Sequence, residues 1–188
     1  PLYSSAASDV YKRQDVFIGD CQAVADKAAA FGFPAERIVT FPWGVDLERF
    51  APGEKQNDLR VRAGWQEEFV ALHVRSWEPV YGVEDFARAF LQAAGERPEL
   101  RLFMPGNGSL APQIRKILMP VMDRVQFVGQ VTQERLPDYY RAADLYVSAS
   151  HSDGSSVSLM EALASGLPAL VSDIPGNREW IAGSEAAG

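Results

Sequence analysis

From residue 16 onward, short runs of apolar and β-branched residues alternate with stretches whose apolar positions recur every three to four residues. The short runs predict strands over residues 16–19, 37–41, 69–74, 100–104, 125–128, 145–147 and 169–171. The periodic stretches predict helices over 22–31, 83–94, 110–118, 133–142 and 157–165, with another beginning at 177–181. In the 83–94 stretch, Val83, Phe86, Ala87, Phe90 and Leu91 share one face. Gly32 with Pro34, and Gly166 with Pro168, supply stop signals. Residues 51–58, rich in Pro, Gly and charge, read as a linker. Strands that are almost continuously apolar and alternate with helices predict a parallel sheet covered on both faces, a Rossmann-like, doubly wound α/β fold. In such sheets a ligand sits outside the carboxyl ends of the strands. The polar and glycine-rich residues cluster there, at 75–82, 106–108, 129–131, 148–156 and 173–177.

Composition narrows the function classes. The chain has 188 residues, 47% of them hydrophobic and 23% charged, a globular balance with room for one domain and part of another. The net charge of −7, with no basic stripe, excludes nucleic acid as the expected partner and gives no polybasic membrane anchor. The single cysteine, Cys21, cannot form an internal disulfide and fits a reducing compartment. With no apolar run near the roughly 18 residues of a membrane span and no signal peptide, the expected location is the cytoplasm. Residues 1–14 are small and polar, lack periodicity and read as a non-native or disordered lead-in; residues 182–188 hold no core-forming side chains.

The richest chemistry lies between Ser148 and Gly166. A strand ends, a small polar loop follows, and a helix begins. Gly154, Ser155 and Ser156 can offer backbone N–H groups at the helix N-terminus, where the dipole favours an anion such as a pyrophosphate. Asp153 and Glu161 are suited to accepting hydrogen bonds from sugar hydroxyls. The same residues also fit a plain helix start, with Ser158-x-x-Glu161 as a capping box and Asp153 in an Asx turn. Arg75, at the end of the 69–74 strand, could clamp a diphosphate through its fork of N–H donors.

Asp153-(x)7-Glu161, followed by Ala-Leu-Ala-Ser-Gly-Leu-Pro168 and Ser172-Asp-Ile-Pro-Gly-Asn177, resembles the Glu-(x)7-Glu block of retaining glycosyltransferase family 4, of the GT-B type. The segment from Ile38 to Phe50 is similar to the one that ends the acceptor-side domain of that family and opens its linker. The resemblance implies that Asp153 contacts the donor sugar, that the backbone of residues 154–157, including Val157, holds phosphate and sugar groups, and that Glu161 holds the ribose hydroxyls. It implies that Gly129 and Val131 border the nucleotide base, and that Arg75 and Asp153 are the groups nearest the chemistry. Asp153 stands where the family has Glu. Where the family has a Lys a few residues after the Arg, this chain has Tyr81, which can donate a hydrogen bond but carries no charge.

Gly106-Asn-Gly-Ser-Leu-Ala111 also fits the G-x-G-x-x-A fingerprint of dinucleotide-binding folds. That fingerprint needs an acidic residue at the end of the next strand, and Asp123 precedes that strand instead. On the glycosyltransferase reading, Gly106 simply borders the donor pocket. His73, inside an apolar strand, reads as a satisfied core residue, and His151 as a loop residue with or without ligand contact. No Cys/His cluster suggests a metal, and no G-x-S-x-G elbow is present.

The resemblance therefore implies a lead-in at 1–14, the remnant of an acceptor-side domain with its linker at 15–58, and a nucleotide-sugar donor domain at 59–188 that stops short of its usual end. The implied reaction is transfer of a sugar from a nucleotide-diphosphate sugar (UDP or GDP type) to a hydroxyl of a carbohydrate or lipid-linked acceptor, with retention, as in polysaccharide biosynthesis. No metal or other cofactor is expected, this chain alone is expected to be inactive, and any peripheral association with the inner membrane face is left to segments outside it. The alternatives are a sugar-nucleotide-binding module without transferase activity, or a nucleotide-sugar epimerase of the same fold.

Overall fold

The computed structural model describes residues 14–54 and 57–181. The readings made for residues 1–13 and for 182–188 fall outside the described residues. In chain order the elements begin with β1 (Phe17–Gly19), α1 (Gln22–Ala30), β2 (Ile38–Thr40), α2 (Asn57–Ala63), β3 (Phe69–Leu72), α3 (Val83–Glu96) and β4 (Leu100–Pro105). They continue with α4 (Ala111–Leu118), β5 (Val125–Gly129), α5 (Leu136–Ala142), β6 (Leu145–Ser148), α6 (Val157–Ala164), β7 (Ala169–Val171) and α7 (Pro175–Ile181). Two compact units result. Of the described residues, the larger holds those within 45–153 and 157–174, and the smaller holds 14–44, 154–156 and 175–181.

In the larger unit, five parallel strands lie in the order β5-β4-β3-β6-β7. From β3 the chain steps outward to β4 and β5, then returns through α5 to β6 on the other side of β3, and steps outward again to β7. Right-handed crossovers running in opposite directions place helices on opposite faces of the sheet. Alternation along β4 shows the consequence. Leu102 and Met104 join Phe86, Phe90, Ile114 and Leu118 of α3 and α4 in one buried cluster. Phe103 points the other way, with its ring centroid 5.0 Å from Trp65 and 5.5 Å from Tyr139 of α5. The reversal of strand order falls between β3 and β6, so the loops after these two strands flank the crevice where such folds bind ligands.

Several predicted boundaries move, each for a local reason. Helix α5 starts at Leu136 rather than at residue 133, because Thr132 O accepts from the N–H groups of Arg135 and Leu136 in a preceding turn. Strand β3 ends at Leu72, although the His73 N–H still donates to Phe103 O at 3.0 Å. The end of the presumed 51–58 linker is already helical, since α2 begins at Asn57. The pattern of α2 (NDLRVRA) is too polar to announce a core helix. Its anchor is Arg60, 2% exposed, whose Nε donates to Ala142 O at 2.7 Å, Nη1 to Glu68 O at 3.0 Å, and Nη2 to Asp144.

In the smaller unit, β1 and β2 pair in parallel, with Phe17 opposite Ile38 and Gly19 opposite Thr40. Helix α1 joins them. Its N-cap, Cys21, makes no side-chain cap hydrogen bond. The carboxylate of Glu179 in α7 does so instead, accepting from the N–H groups of Gln22 and Ala23, both at 3.0 Å. An acceptor from 157 residues away in the chain thus satisfies two of the orphan donors of the first turn, where the dipole also favours a negative charge. Glu179→Ala is expected to cost about 1 kcal/mol locally. Amide exchange at Gln22 and Ala23 should then speed up by roughly fivefold; unchanged protection there would show that water serves these donors equally well.

Candidate functional site

Arg75 follows β3 and Asp153 follows β6, so both lie at the crevice where the strand order reverses. The side chain of Arg75 is 10% exposed and ion-paired through Nη2 with the Asp153 carboxylate. Its Nη1 donates to Ser158 Oγ at 3.2 Å, and its Cζ lies 4.2 Å from the centre of the Tyr81 ring. Three of the residues singled out from the sequence therefore meet. The pairing of Arg75 with Asp153 was not legible there, because 78 residues separate them.

Behind this group lies a buried relay. Ser158 Oγ is 2.8 Å from the Tyr146 hydroxyl. The Tyr140 hydroxyl donates to Glu161 Oε2 at 2.8 Å and lies 3.1 Å from Ser158 O. Glu161 is 4% exposed; burial pushes its carboxyl pKa up, and the hydrogen bond from Tyr140 opposes that. Burial and then the Glu161 charge raise the Tyr140 phenol well above its ordinary value, so it remains a proton donor. A capping box needs its serine at the N-cap, whereas α6 begins at Val157 and Ser158 is already its second residue. Sequence reasoning read Ser158 only as a helix-capping residue and missed Tyr146 and Tyr140. The available signal was one tyrosine within an apolar strand and another on the preceding helix, since a buried phenol calls for a hydrogen-bond partner.

A cavity of about 310 Å³ opens beside Arg75, at the low end of the range for small-molecule sites. Arg75, Ser76, Gly106, Asn107, Gln130 and Val131 are among the residues that line it. Arg75, Gly106 and Val131 thus line one cavity. Gly129 sits just behind, where its carbonyl accepts from the Gly106 N–H at 2.7 Å.

The glycines of the 106–108 loop have a structural cause. A Cβ on Gly106 would lie 2.5 Å from Arg75 O, and one on Gly108 would lie 2.4 Å from Trp77 O. Backbone therefore packs on backbone, and the contact is stitched by Trp77 N–H to Asn107 O and Leu110 N–H to Trp77 O, each 3.0 Å. This accounts for the G-x-G-x-x-A spacing without a dinucleotide. Asp123, with its side chain 81% exposed, lies ahead of β5 beside Arg124.

Gly154–Ser156 belong to the smaller unit. There the Ser155 N–H donates to Asp20 Oδ2 at 3.0 Å, and Ser155 Oγ to Asp20 O at 2.5 Å. A Cβ on Gly154 would stand 2.2 Å and 2.3 Å from the two carboxylate oxygens of Asp20. The backbone expected to cradle an anion thus holds one already, supplied by the chain itself. Asp20 was also missed; its signal was an acidic residue directly after a short strand. Val157, first in α6, is 37% exposed. His73 is fully buried but only half satisfied. Its Nδ1 lies 2.9 Å from Val147 O, its ring stacks on Phe86 at 4.2 Å, and its Nε2 has no hydrogen-bond partner among the described residues. His151 is exposed, with Nε2 3.2 Å from Asp85.

Comparison with known proteins adds to this geometry. A family model described as glycosyl transferases group 1 matches residues 68–187. The D-inositol 3-phosphate glycosyltransferase of Streptomyces scabiei is 32% identical over 76% of this chain and 34% of its own length. The mannosylfructose-phosphate synthase of Agrobacterium fabrum is 30% identical over 86% of this chain and 38% of its own. The chain therefore spans about a third of the length of the curated relatives it matches. Among solved structures, Anabaena HepE in complex with UDP-glucose superposes with a TM-score of 0.83 at 20% identity, over 94% of this chain and 50% of that one. The sucrose-phosphate synthase of Thermosynechococcus elongatus gives 0.72 at 24% identity, over 95% and 48%. At these identities the structural matches speak for the fold: a parallel sheet with flanking helices, Rossmann-like and of the GT-B kind. Among the described residues no helix is long and apolar enough to cross a membrane.

Proposed function

Because the chain belongs to the glycosyl transferases group 1 family, we propose that it is the donor-binding part of a retaining, nucleotide-sugar-dependent transferase of family 4. The observation that carries this reading is the Arg75 guanidinium, held at the crevice by Asp153, Ser158 and Tyr81 beside a cavity of nucleoside size. In this reading Arg75 neutralises the diphosphate as it leaves. Such stabilisation accelerates transfer because charge grows on the leaving oxygen in the transition state. Asp153 orients the sugar, Glu161 holds the ribose, and Gly106, Gly129 and Val131 border the base. The guanidinium supplies the positive charge, so no metal is assigned a part. The acceptor, a carbohydrate or lipid-linked hydroxyl, would be bound by parts of the protein outside this chain, and the reaction would be cytoplasmic.

One observation favours a second reading. The Asp153 carboxylate is engaged by Arg75, and the neighbouring Tyr81 is uncharged, which suits a module that binds sugar nucleotides without transferring them. Both readings require nucleoside diphosphate binding, and calorimetry with UDP tests that requirement. Arg75→Ala is expected to weaken UDP binding by about 10- to 150-fold, the loss of a hydrogen-bonded charge, with the melting temperature recorded alongside. Tighter binding of NAD than of UDP, or an Arg75→Ala chain that binds UDP as the wild type does, would rule out this site.

A further inference from the structure

The Arg75 guanidinium makes two kinds of contact. Its N–H edge meets Asp153 and Ser158, and its face meets the Tyr81 ring, 4.2 Å from Cζ to centroid. The two are not equivalent for an anionic ligand. A phosphate binds guanidinium through the edge, so a carboxylate on the edge competes with it. An aromatic ring attracts the cation through the face and leaves the edge available. Tyr81 can therefore hold the guanidinium in place while ligand oxygens exchange for Asp153.

The ring is well placed for this because its backbone is fixed. Tyr81 ends the turn Pro79–Tyr81, and its N–H donates to Glu78 O at 3.0 Å. The next residue, Gly82, has φ +58, and a Cβ there would lie 1.9 Å from Ala149 O. Only glycine fits both that backbone conformation and that approach. On the other side of Tyr81, Val80 O accepts from the His151 N–H at 3.0 Å. The turn is thus pinned to the loop after β6 that also carries Asp153. The half-buried ring packs against the cluster under α3 and α4.

We infer that Tyr81 is a positioning residue for the diphosphate-binding cation, and that it acts through the face of its ring, not through its hydroxyl. The inference rests on the donor-site reading above. UDP binding to the 188-residue chain, measured by calorimetry for Tyr81→Phe, Tyr81→Leu and the wild type, tests it. Tyr81→Phe keeps the face and should bind within about twofold of wild type. Tyr81→Leu keeps apolar bulk without a π face and should weaken binding by about 3- to 30-fold. Leu binding as well as Phe would reduce the ring to packing and overturn the inference; Phe binding as poorly as Leu would make the hydroxyl the working group and overturn it too. The stack is also read without ligand, as a ring-current shift of the Arg75 side-chain protons that survives in Tyr81→Phe and vanishes in Tyr81→Leu. If that shift behaves as expected but the wild type binds no UDP, the donor-site reading is what fails, and the positioning role falls with it.

Discussion

Arg60→Ala should remove about 3–5 kcal/mol of folding stability, the cost of breaking a buried ion pair from one side. Arg60 is 2% exposed and holds three separate parts of the larger unit: Ala142 O at the end of α5, Glu68 O before β3, and the Asp144 carboxylate before β6. Asp144 in turn accepts from the Val70 N–H at 2.8 Å. Deleting the guanidinium takes a donor from two carbonyls and leaves the Asp144 carboxylate, still bonded to the Val70 N–H, without its cation. Urea denaturation of the variant measures the loss. Removing both charges as Arg60→Met with Asp144→Leu should recover part of it, because no carboxylate is then left without its cation. A single-variant cost below about 1 kcal/mol would mean that the pair is solvated in practice.

Acid should destabilise the same unit through His73. Its pKa is lowered to about 4 from the ordinary 6.5, first by burial and further by the nearby Arg75 charge, against the raising effect of the hydrogen bond to Val147 O. The sign follows from which state binds the proton. Above pH 6.5 the ring is neutral in both states and costs nothing. Between 6.5 and about 4 the unfolded chain takes up a proton that the folded one refuses, so stability falls with pH. Over that window of about 2.5 units the loss approaches about 3 kcal/mol at 1.36 kcal/mol per unit. With Nδ1 facing a carbonyl, the neutral ring carries its hydrogen there, and protonation would place a second donor on Nε2, which has no partner among the described residues. Urea midpoints from pH 7 to pH 4.5 should therefore drop less steeply in His73→Leu than in the wild type. Parallel slopes would remove His73 from the account.

How much of this was legible depends on which force placed each residue. The strands and the larger helices were readable because apolar periodicity records burial directly: Val83, Phe86, Ala87 and Phe90 are all buried. Helix α2 was not, because a buried guanidinium rather than an apolar stripe fixes it. The approximate location of the site was readable, since glycine and polar residues gather at the carboxyl ends of strands. Its wiring was not. Arg75 with Asp153, and Asp20 with Ser155, are long-range polar pairs, and spacing carries no trace of them. The 106–108 glycines mimicked a phosphate loop because close backbone approach selects glycine whichever partner approaches.

That backbone-on-backbone contact also limits how the cavity could be reshaped. After β4 part of its wall is the Gly106 main chain, packed directly on the segment that carries Arg75, so at that position there is no side chain to shorten and no space to add one. Adjustment to a guest is left to lining side chains away from that contact, among them Asn107, Gln130, Val131 and Leu136. A library aimed at a different nucleoside would vary those positions, and diversity spent on Gly106 or Gly108 would return chains that no longer hold Arg75 where it is.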